Sequence, residues 1–426
     1  MNYPEAIQFL LGLRLFGAKL GLENTFKLAA LAGNPQEKLR FIHVAGTNGK
    51  GSTCAMLESI YRAAGLRVGL FTSPHLVSFR ERIQVNRRLI PENEVVRLVA
   101  DLRAANLQDE TTLFEFATVM ALKFFAEQKC DLVIWETGLG GRLDATNIVT
   151  PLASVITNIA FDHQQWLGNT LAKIATEKAG IIKPEIPVVT ATDNLEALAV
   201  IEKIAREKNA PLTQVRNSEF GIRNSELSLL GEHQKQNAAL ALGTVEVLQN
   251  LIPVAEEKIR KGLANVNWPG RLQLVQGSSG SKILLDGAHN SAGVNVLREA
   301  LEKNFPATKR TLILGVLQDK DWRRICETLA PLATRIFTVP VSSERTANPR
   351  DLASACHAAN PAAELFLCSS LEEGLKKTRD DSFVIVTGSL YLVGETLELL
   401  GLSPTVRSER GLNEWTAGAK MISVQR

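Results

Sequence analysis

The sequence lacks the features that mark several classes of protein. Its five cysteines are scattered without a C-x-x-C pair, which argues against a disulfide framework and against a zinc site. No uninterrupted apolar run is long enough to cross a bilayer, and the first residues lack the basic segment of a signal peptide. The net charge of +3 is small for 426 residues and argues against a nucleic-acid-binding face. We therefore expect a cytoplasmic protein with reduced thiols that binds neither membrane nor nucleic acid.

The length and the order of the apolar segments predict two α/β domains. A chain of 426 residues is too long for one ordinary core. Short apolar strands such as FIHVA, DLVIWE and ASVITNI alternate with amphipathic helices, which is typical of a parallel sheet covered on both faces. The stretch NVNWPGRLQLVQGSSGSK interrupts this pattern, and a second α/β series begins at KILLD. We expect domains over 1–269 and 270–426, the second being smaller and partly disordered over its final residues, 408–426.

The stretch HVAGTNGKGS, residues 43–52, has the composition of a phosphate-binding loop. It departs from the strict G-x-x-x-x-G-K-[ST] pattern, because Gly46 is too close to Lys50 and Gly51 separates the lysine from the hydroxyl. Glycines let the backbone approach a phosphate, and the first amides of the following helix point at it. The alternative is a plain glycine turn in which Ser52 caps the helix.

Two later stretches carry candidate metal ligands and an unusual lysine. Glu136 ends the strand of DLVIWETGLGGRLDATN, where its carboxylate could hold magnesium or could instead pair with Arg142. His163 follows the strand ASVITNI and is either a metal ligand or a structural histidine. Lys178 lies on the apolar face of a predicted helix, where burial disfavours the ammonium form and a neutral amine could become a carbamate. From periodicity alone, a lysine that snorkels or pairs with a buried acid is the simpler interpretation.

Candidate nucleotide contacts lie near the proposed boundary between the domains. In LLDGAHNSAG, Asp286 could accept from ribose hydroxyls and His289 could donate to a phosphate or carboxylate. The two residues after the histidine could merely cap the next helix. Asn237 lies on an otherwise apolar helix, and its amide offers adenine both a donor and an acceptor. Arg271 in WPGRLQ lies at the proposed hinge, from which a guanidinium could reach phosphates.

Together these stretches resemble the folylpolyglutamate synthase and dihydrofolate synthase family, a branch of the Mur ligases. The matching stretches occur in family order and are HVAGTNGKGS, FTSPHL, LFEFAT, WETGLGGRLDATN, DHQQWLGNTLAKIATEKAGIIKP, HQKQNAA, PGRLQ, DGAHN and TGSLYLVGE. They span residues 43–395, and the family's loop also carries a glycine between lysine and serine. The resemblance implies an N-terminal P-loop-type ATPase domain with a mostly parallel sheet and a smaller, Rossmann-like C-terminal α/β domain.

The resemblance also implies roles for matching positions. The implied ATP contacts are Thr47, Asn48, Gly49, Lys50, Gly51, Ser52, Asn237, Arg271 and Asp286. Implied magnesium ligands are Ser73 and Glu136 for one ion and His163 for a second. Lys178 would be carbamylated, and the implied catalytic set is Lys50, Glu136, His163 and Lys178. The implied pterin site is Thr112, Phe114, Asp144 and Ala145, and the implied glutamate site is Arg82, His289 and Ser389.

The activity implied by the resemblance is ATP-dependent formation of an amide between L-glutamate and dihydropteroate, the glutamate tail of a tetrahydrofolate, or both. The carboxylate would be activated as an acyl phosphate, with release of ADP and phosphate. ATP and two Mg²⁺ sites are implied, with K⁺ as a further candidate, in a monomer acting on small molecules. Alternatives are a monofunctional folylpolyglutamate synthase, a cell-wall Mur-type ligase and a non-catalytic nucleotide-binding protein. FTSPHL and LFEFAT argue against the cell-wall alternative, and the complete set of implied catalytic residues argues against the non-catalytic one.

Overall fold

A computed structural model of the chain describes residues 1–13, 21–104, 111–216, 227–277, 280–306, 309–403 and 409–414. In this part of the chain the backbone forms two sheets, one of eight strands and one of six. Helices pack against both faces of each sheet, because the apolar side chains of the central strands alternate between the two faces. The predicted α/β fold class, with two mostly parallel sheets, is confirmed.

The eight-stranded sheet has a parallel centre. Its strands are β1 (Phe41–Ala45), β2 (Val68–Phe71), β3 (Ile83–Val85), β4 (Arg88–Leu89), β5 (Leu132–Glu136), β6 (Ala153–Ile156), β7 (Val188–Thr190) and β8 (Leu212–Gln214). Their order is β4-β3-β2-β5-β1-β6-β7-β8. Because β1 pairs in parallel with both β5 and β6, the segments that follow these three strands meet at one edge of the sheet. The antiparallel hairpin of β3 and β4 was not predicted from the sequence.

The helices of this part of the chain cover the two faces of the sheet. They are α1 (Tyr3–Gly12), α2 (Glu23–Leu31), α3 (Lys50–Ala63), α4 (Glu92–Ala104), α5 (Leu113–Glu127), α6 (Gln164–Leu167), α7 (Leu171–Ala179), α8 (Leu195–Glu207), α9 (Glu232–Val247) and α10 (Glu256–Ala264). Phe41 and Trp135 pack with α1, α2, α4 and α5 on one face. Ile42 and Ile134 pack with α3, α9 and α10 on the other.

The six-stranded sheet is built in the same way on a smaller scale. Its strands are β9 (Gln273–Gln276), β10 (Lys282–Leu285), β11 (Thr311–Leu314), β12 (Arg335–Thr338), β13 (Glu364–Leu367) and β14 (Phe383–Thr387), in the order β13-β12-β11-β14-β10-β9. Its helices are α11 (Ser291–Asn304), α12 (Trp322–Leu329), α13 (Pro349–Ala359), α14 (Leu371–Lys377) and α15 (Leu390–Leu399). Only β9 is antiparallel to its neighbour. The predicted division after residue 269 falls between α10 and β9.

The described end of the chain is more ordered than its sequence suggested. Glu409–Asn413 forms a short 3-10 helix, although the final residues show no periodic pattern. Tertiary contacts rather than local pattern hold this helix, since Glu409, Arg410 and Leu412 are buried. Of the residues predicted to be partly disordered, 408 and 415–426 lie outside the described residues. Among the helices that are described, none combines the length and apolarity needed to span a bilayer.

Candidate active site

One cavity of about 480 Å³ lies where strands of both sheets end. Segments that follow β1, β5 and β6 of the larger sheet form one side, and segments that follow β10, β11 and β14 of the smaller sheet form the other. Every residue to which the sequence analysis assigned a role lines this cavity. These residues are Thr47, Asn48, Gly49, Lys50, Gly51, Ser52, Ser73, Arg82, Thr112, Phe114, Glu136, Asp144, Ala145, His163, Lys178, Asn237, Arg271, Asp286, His289 and Ser389.

The loop between β1 and α3 presents backbone to the cavity. Gly49 is the N-cap of α3 with a φ of +83°, and a Cβ there would lie 2.3 Å from Oδ1 of Asn237. Because no side chain caps α3, its first N–H groups are available to an anion. Nζ of Lys50 lies beside the loop, 3.2 Å from the carbonyl oxygen of Gly46. Ser52 is the third residue of the helix, so the alternative that it caps the helix is wrong.

Glu136 ends β5 with its carboxylate in the cavity wall. The side chain is 4% exposed, and one carboxylate oxygen accepts a hydrogen bond of 3.0 Å from the backbone N–H of Ser73. Burial raises the pKa of Glu136 to about 7, although the charge of Lys50 acts in the opposite direction. The alternative partner, Arg142, instead donates to Glu177 over 2.8 Å. Pairing between the strand-end carboxylate and Arg142 is therefore wrong.

Lys178 on α7 points its amine at the same loop. Nζ donates over 2.7 Å to the carbonyl oxygen of Gly46, which Lys50 also contacts. Burial, and then the charge of Lys50, lowers the pKa of Lys178 to about 7. A substantial neutral fraction is therefore expected near neutral pH, as addition of carbon dioxide requires. The snorkelling alternative is wrong, because the side chain is 5% exposed and bonds a carbonyl oxygen instead of reaching solvent.

A cluster of charged and polar groups around Asp162 joins the two sides of the cavity. The carboxylate accepts hydrogen bonds from Nζ of Lys320 over 2.7 Å and from Nδ2 of Asn290 over 3.1 Å. The Nε2 atoms of His163 and His289 lie 3.9 and 3.8 Å from it. Both histidines were identified from the sequence, whereas Asp162 and Lys320 were not. The aspartate stands beside His163 in DHQQW, and the lysine follows β11.

The electrostatics of this cluster favour a charged carboxylate and neutral imidazoles. Burial acts to raise the pKa of Asp162, but His163 and His289, when protonated, and Lys320 hold it well below its usual range. Burial lowers the pKa of His163 to about 3 and that of His289 to about 4. Since both imidazoles are neutral near pH 7, Lys320 is the cation that stabilises the carboxylate there.

Asp286 follows β10 and fastens two loops to each other. Its two carboxylate oxygens accept hydrogen bonds from the backbone N–H groups of Leu272 and Ala288, each over 2.9 Å. Burial raises the pKa of Asp286, and the charge of nearby Arg271 acts against this shift. Asn290 is the N-cap of α11, which confirms one of the two helix-capping alternatives. The carboxylate and the guanidinium both line the cavity near this helix start.

The side chains at the start of α9 offer further polar atoms. Nδ2 of Asn237 donates to Oε1 of Gln234 over 2.9 Å. In the described part of the chain, Nε2 of Gln234 and Nδ1 of His233 are buried without a hydrogen-bond partner, and both residues line the cavity. Burial lowers the pKa of His233 to about 4, so its ring is neutral near pH 7. These two residues were not identified from the sequence, although they stand close to Asn237 in GEHQKQN.

The four residues of the implied pterin site surround the segment after β5. Thr112 is the N-cap of α5, and the ring of Phe114 lies so close to Gly138 that a Cβ there would be 2.5 Å from it. The carboxylate of Asp144 accepts hydrogen bonds from the backbone N–H groups of Leu139 over 2.7 Å and Thr146 over 3.0 Å. Burial raises the pKa of Asp144. Ala145 begins the short 3-10 helix that follows. The ring of Phe114 therefore packs against the loop that Asp144 holds in place.

The three residues of the implied glutamate site have different surroundings. Arg82 donates to Nδ1 of His75 over 2.9 Å and to Oδ1 of Asn413 over 2.6 Å. Ser389 is the N-cap of α15, whereas His289 belongs to the cluster around Asp162. Further residues of this wall were not identified from the sequence, namely Arg345, Tyr391, Asn413 and Glu414. Their positions depend on contacts between distant segments, which no local pattern reveals.

The site has the parts that nucleotide-dependent activation of an acid requires. A glycine loop at a helix start can bind phosphate, and a buried carboxylate at the next strand end can hold a metal. Models of the Mur ligase middle domain and of the Mur ligase glutamate ligase domain match residues 44–245 and 270–390. The chain is therefore an ATP-dependent ligase of the Mur type.

Comparisons of the whole chain narrow this class. The chain is 38% identical to a dihydrofolate synthase/folylpolyglutamate synthase of Bacillus subtilis over 92% of its own length and 98% of the relative's. It is 35% identical to a folylpolyglutamate synthase of Lacticaseibacillus casei over 94% and 99% of the two chains. A solved structure of E. coli FolC in complex with DHPP and ADP has a TM-score of 0.85 and 31% identity, covering 94% and 98%. The chain belongs to the folylpolyglutamate synthase/dihydrofolate synthase family, as the resemblance predicted.

Proposed function

We propose that this protein joins L-glutamate to dihydropteroate, to the glutamate tail of a reduced folate, or to both, using ATP. Relatives named for both activities, for folylpolyglutamate synthase alone and for dihydrofolate synthetase alone are 38%, 35% and 31% identical to the chain, so the choice of acceptor is a matter for experiment. One observation carries the proposal. The amines of Lys50 and Lys178 meet at the carbonyl oxygen of Gly46, in the loop where phosphate would bind. The ammonium of Lys50 suits a site whose substrates bring a high negative charge. The buried amine of Lys178, whose pKa is lowered to about 7, suits carbamylation beside it.

The acceptor carboxylate is a poor electrophile toward an amine, so it must first be activated. An oxygen of the acceptor carboxylate attacks the γ-phosphorus of ATP, ADP leaves, and an acyl phosphate forms. The α-amino nitrogen of L-glutamate then attacks the carbonyl carbon, phosphate leaves with that carboxylate oxygen, and the amine gives up a proton. Lys50 and the N–H groups at the start of α3 would bind and orient the phosphates during the first step. The walls from both sheets would keep water from the acyl phosphate.

The donor atoms of the cavity suit Mg²⁺. Glu136 offers a buried carboxylate oxygen next to the loop. Because burial disfavours its charged form, a cation bound beside it would stabilise that form. The described residues include no cluster of three or more metal-binding side chains, so phosphate and water would complete the coordination, as Mg²⁺ prefers. Glu136 and Ser73 would hold one ion and His163 a second. Bound there, the ions would neutralise charge on the transferring phosphoryl group.

Several finer points stay predictions from the sequence. Carbamylation of Lys178 would place a negative charge opposite Lys50 and beside the metal. The use of K⁺, the monomeric state and the cytoplasmic location are likewise proposals that rest on the resemblance. The same holds for the division of the chain after residue 269.

Product masses test the proposal directly. We would incubate the purified protein with ATP, Mg²⁺ and L-glutamate, together with either dihydropteroate or tetrahydrofolate. Addition of one glutamate to dihydropteroate establishes synthase activity, and addition to tetrahydrofolate establishes tail extension. The Lys50→Ala variant is the control, since it should fold normally and form neither product. Product formation by that variant at the wild-type rate would contradict the assignment of the loop.

Negative results would also distinguish between the alternative functions. Ligation of L-glutamate to neither folate acceptor, with activity toward a cell-wall precursor, would favour the cell-wall alternative. ATP binding without turnover on any acceptor would favour the non-catalytic alternative. Phosphate release that requires both a folate and L-glutamate would exclude both.

A further inference from the structure

The described end of the chain, Glu409–Glu414, runs across the cavity wall, and we refer to it as the C-terminal strap. The carboxylate of Glu409 accepts hydrogen bonds from Oγ of Ser78 over 2.7 Å and from the backbone N–H of Phe79 over 2.6 Å. The next residue, Arg410, forms an ion pair with Glu398 on α15. Two adjacent side chains of opposite charge therefore attach the strap to two distant parts of the molecule.

The burial of these attachments fixes the position of the strap. Glu409 is fully buried, and Arg410 is 6% exposed. A buried charge is strongly destabilising unless its partners stay in place, so the strap is not a loosely attached tail. Its last residue adds a third attachment, because the carboxylate of Glu414 accepts from Nε of Arg345 over 3.1 Å. The strap is thus held at both of its ends.

Between these attachments, Asn413 forms a hydrogen bond with Arg82, which directly precedes β3 of the larger sheet. Oδ1 of Asn413 accepts from Nη2 of Arg82 over 2.6 Å, and its Nδ2 donates to the carbonyl oxygen of His75 over 2.9 Å. Nε of Arg82 donates to Nδ1 of the same histidine. The amide of Asn413 is held through both its oxygen and its nitrogen, and Arg82 donates through two of its nitrogens. The plane of the Arg82 guanidinium is therefore fixed.

The partners of the two guanidinium groups differ in charge. Arg345 contacts two carboxylates, those of Asp319 and Glu414, which cancel its charge. Arg82 is oriented by Asn413 and by a histidine whose pKa burial holds well below the usual value, so both of these partners are neutral. Within the described residues, the hydrogen bonds of Arg82 use Nε and Nη2, the latter also reaching the carbonyl oxygen of Leu412 over 3.5 Å, and the residue lines the cavity. A carboxylate entering the cavity would find an oriented cation there.

We propose that Asn413 is a positioning residue, which orients Arg82 toward a carboxylate of the incoming L-glutamate. The inference rests on the proposed ligase function and adds to it a role for the C-terminal strap. The strap is fastened to α15 and to Arg345 on the side of the smaller sheet, while Arg82 precedes β3 of the larger sheet. The amino-acid site is therefore complete only when segments from both sheets are in contact.

Steady-state kinetics of four variants test this role. Asn413→Ala is expected to raise the KM for L-glutamate by about tenfold, with the KM values for ATP and folate and the kcat within about twofold of wild type. Because Asn413 acts through Arg82, adding Asn413→Ala to Arg82→Ala should raise the KM no further. Asn413→Asp keeps the volume and the acceptor oxygen but adds a negative charge, so it should raise the KM for L-glutamate at least as far.

The matched control is Asn360→Ala. Nδ2 of Asn360 donates to the carbonyl oxygens of Ala330 and Ala333, so this variant also loses partly buried amide hydrogen bonds, but the residue does not line the cavity. Its thermal midpoint should fall while its KM for L-glutamate stays at the wild-type value.

Other outcomes overturn the inference. An unchanged KM for L-glutamate in both Asn413 variants, a rise confined to the folate KM, or full additivity with Arg82→Ala would each contradict the positioning role. Absence of ligated product with the wild-type protein would instead refute the proposed function itself.

Discussion

At the scale of single residues, two lysines make the same kind of hydrogen bond but differ in whether they line the cavity. Lys178 and Lys183 each donate to a backbone carbonyl oxygen, over 2.7 and 3.0 Å. Burial lowers the pKa of both, but only the amine of Lys178 lies in the cavity wall. The two residues therefore form a matched pair for separating chemistry from packing.

We expect Lys178→Met to lower kcat by about 100-fold or more, because it removes a group that faces the phosphate loop. Lys183→Met loses a comparable hydrogen bond outside the cavity and should keep kcat within a few-fold of wild type. Rates at saturating ATP and L-glutamate, with circular dichroism to check folding, measure both. Equal losses in the two variants would show that Lys178 acts through packing.

His43 makes the stability of the larger sheet depend on pH. It is fully buried in β1 with Nε2 2.9 Å from Oγ1 of Thr146, and burial lowers its pKa from 6.5 to about 3. The unfolded chain therefore binds more protons than the folded one between these two pH values. The free energy of unfolding should consequently fall as the pH drops through this range.

We expect His43→Gln to weaken this pH dependence. Between about pH 6.5 and pH 5 a single such group contributes about 2 kcal/mol, which the variant should no longer lose. Denaturant unfolding of both proteins across this range gives the two slopes, with the other titrating groups common to both. Identical slopes would mean that the imidazole is protonated in the folded state.

At the scale of elements, the start of α3 shows which features a local pattern can predict. Apolar strands, amphipathic helices and the glycine loop were all found from the sequence, because each has its own period or turn residues. The hairpin of β3 and β4, strand β9 and the 3-10 helix Glu409–Asn413 were not found. These elements are two to five residues long and are fixed by their neighbours.

The same distinction applies to the site. Lys50 and Glu136 stand in recognisable patterns, whereas Lys320 and Asn413 acquire their partners only through tertiary contact. Lys178 lies between these cases. Periodicity placed it on the apolar face of a helix, but the contact with the loop depends on how α7 packs beside β1. Family resemblance, and not spacing, singled it out.

We expect Gly49→Ala to raise the KM for ATP by about tenfold or more, because the new Cβ would collide with Asn237 at a positive φ. The control is Gly65→Ala at the other end of the same helix. Gly65 has a φ of +97° but no atom within 4 Å of the added Cβ. It should lose stability of about 1 kcal/mol from backbone strain and keep the wild-type KM for ATP. A similar KM in both variants would contradict the close contact at the loop.

At the scale of the whole molecule, two ion pairs connect segments around the larger sheet with segments around the smaller sheet, and the two pairs differ in burial. Lys320 and Asp162 are 8% and 10% exposed at 2.7 Å, whereas Lys303 and Glu232 are 59% and 43% exposed at 3.0 Å. Both pairs join the same two parts of the chain. The buried pair should dominate, since exposed ion pairs contribute about 0–1 kcal/mol while a buried charge without its partner costs about 3–5 kcal/mol.

We therefore expect Lys320→Met to loosen the arrangement that encloses the cavity. The radius of gyration from small-angle scattering should increase, and the ligase rate should fall by about tenfold or more. Lys303→Met should leave both quantities near the wild-type values. An unchanged radius and rate in Lys320→Met would show that other contacts suffice to hold the cavity closed.

The central claim is that the cavity activates a carboxylate by phosphorylation. The most direct test uses dihydropteroate or tetrahydrofolate whose reacting carboxylate carries ¹⁸O, followed by mass analysis of the released phosphate. If an acyl phosphate forms, one labelled oxygen must leave with the phosphate when the amine of L-glutamate attacks, so labelled phosphate should appear in step with product. Amide product accompanied by unlabelled phosphate would contradict the mechanism, because the carboxylate oxygen would then have left by another route.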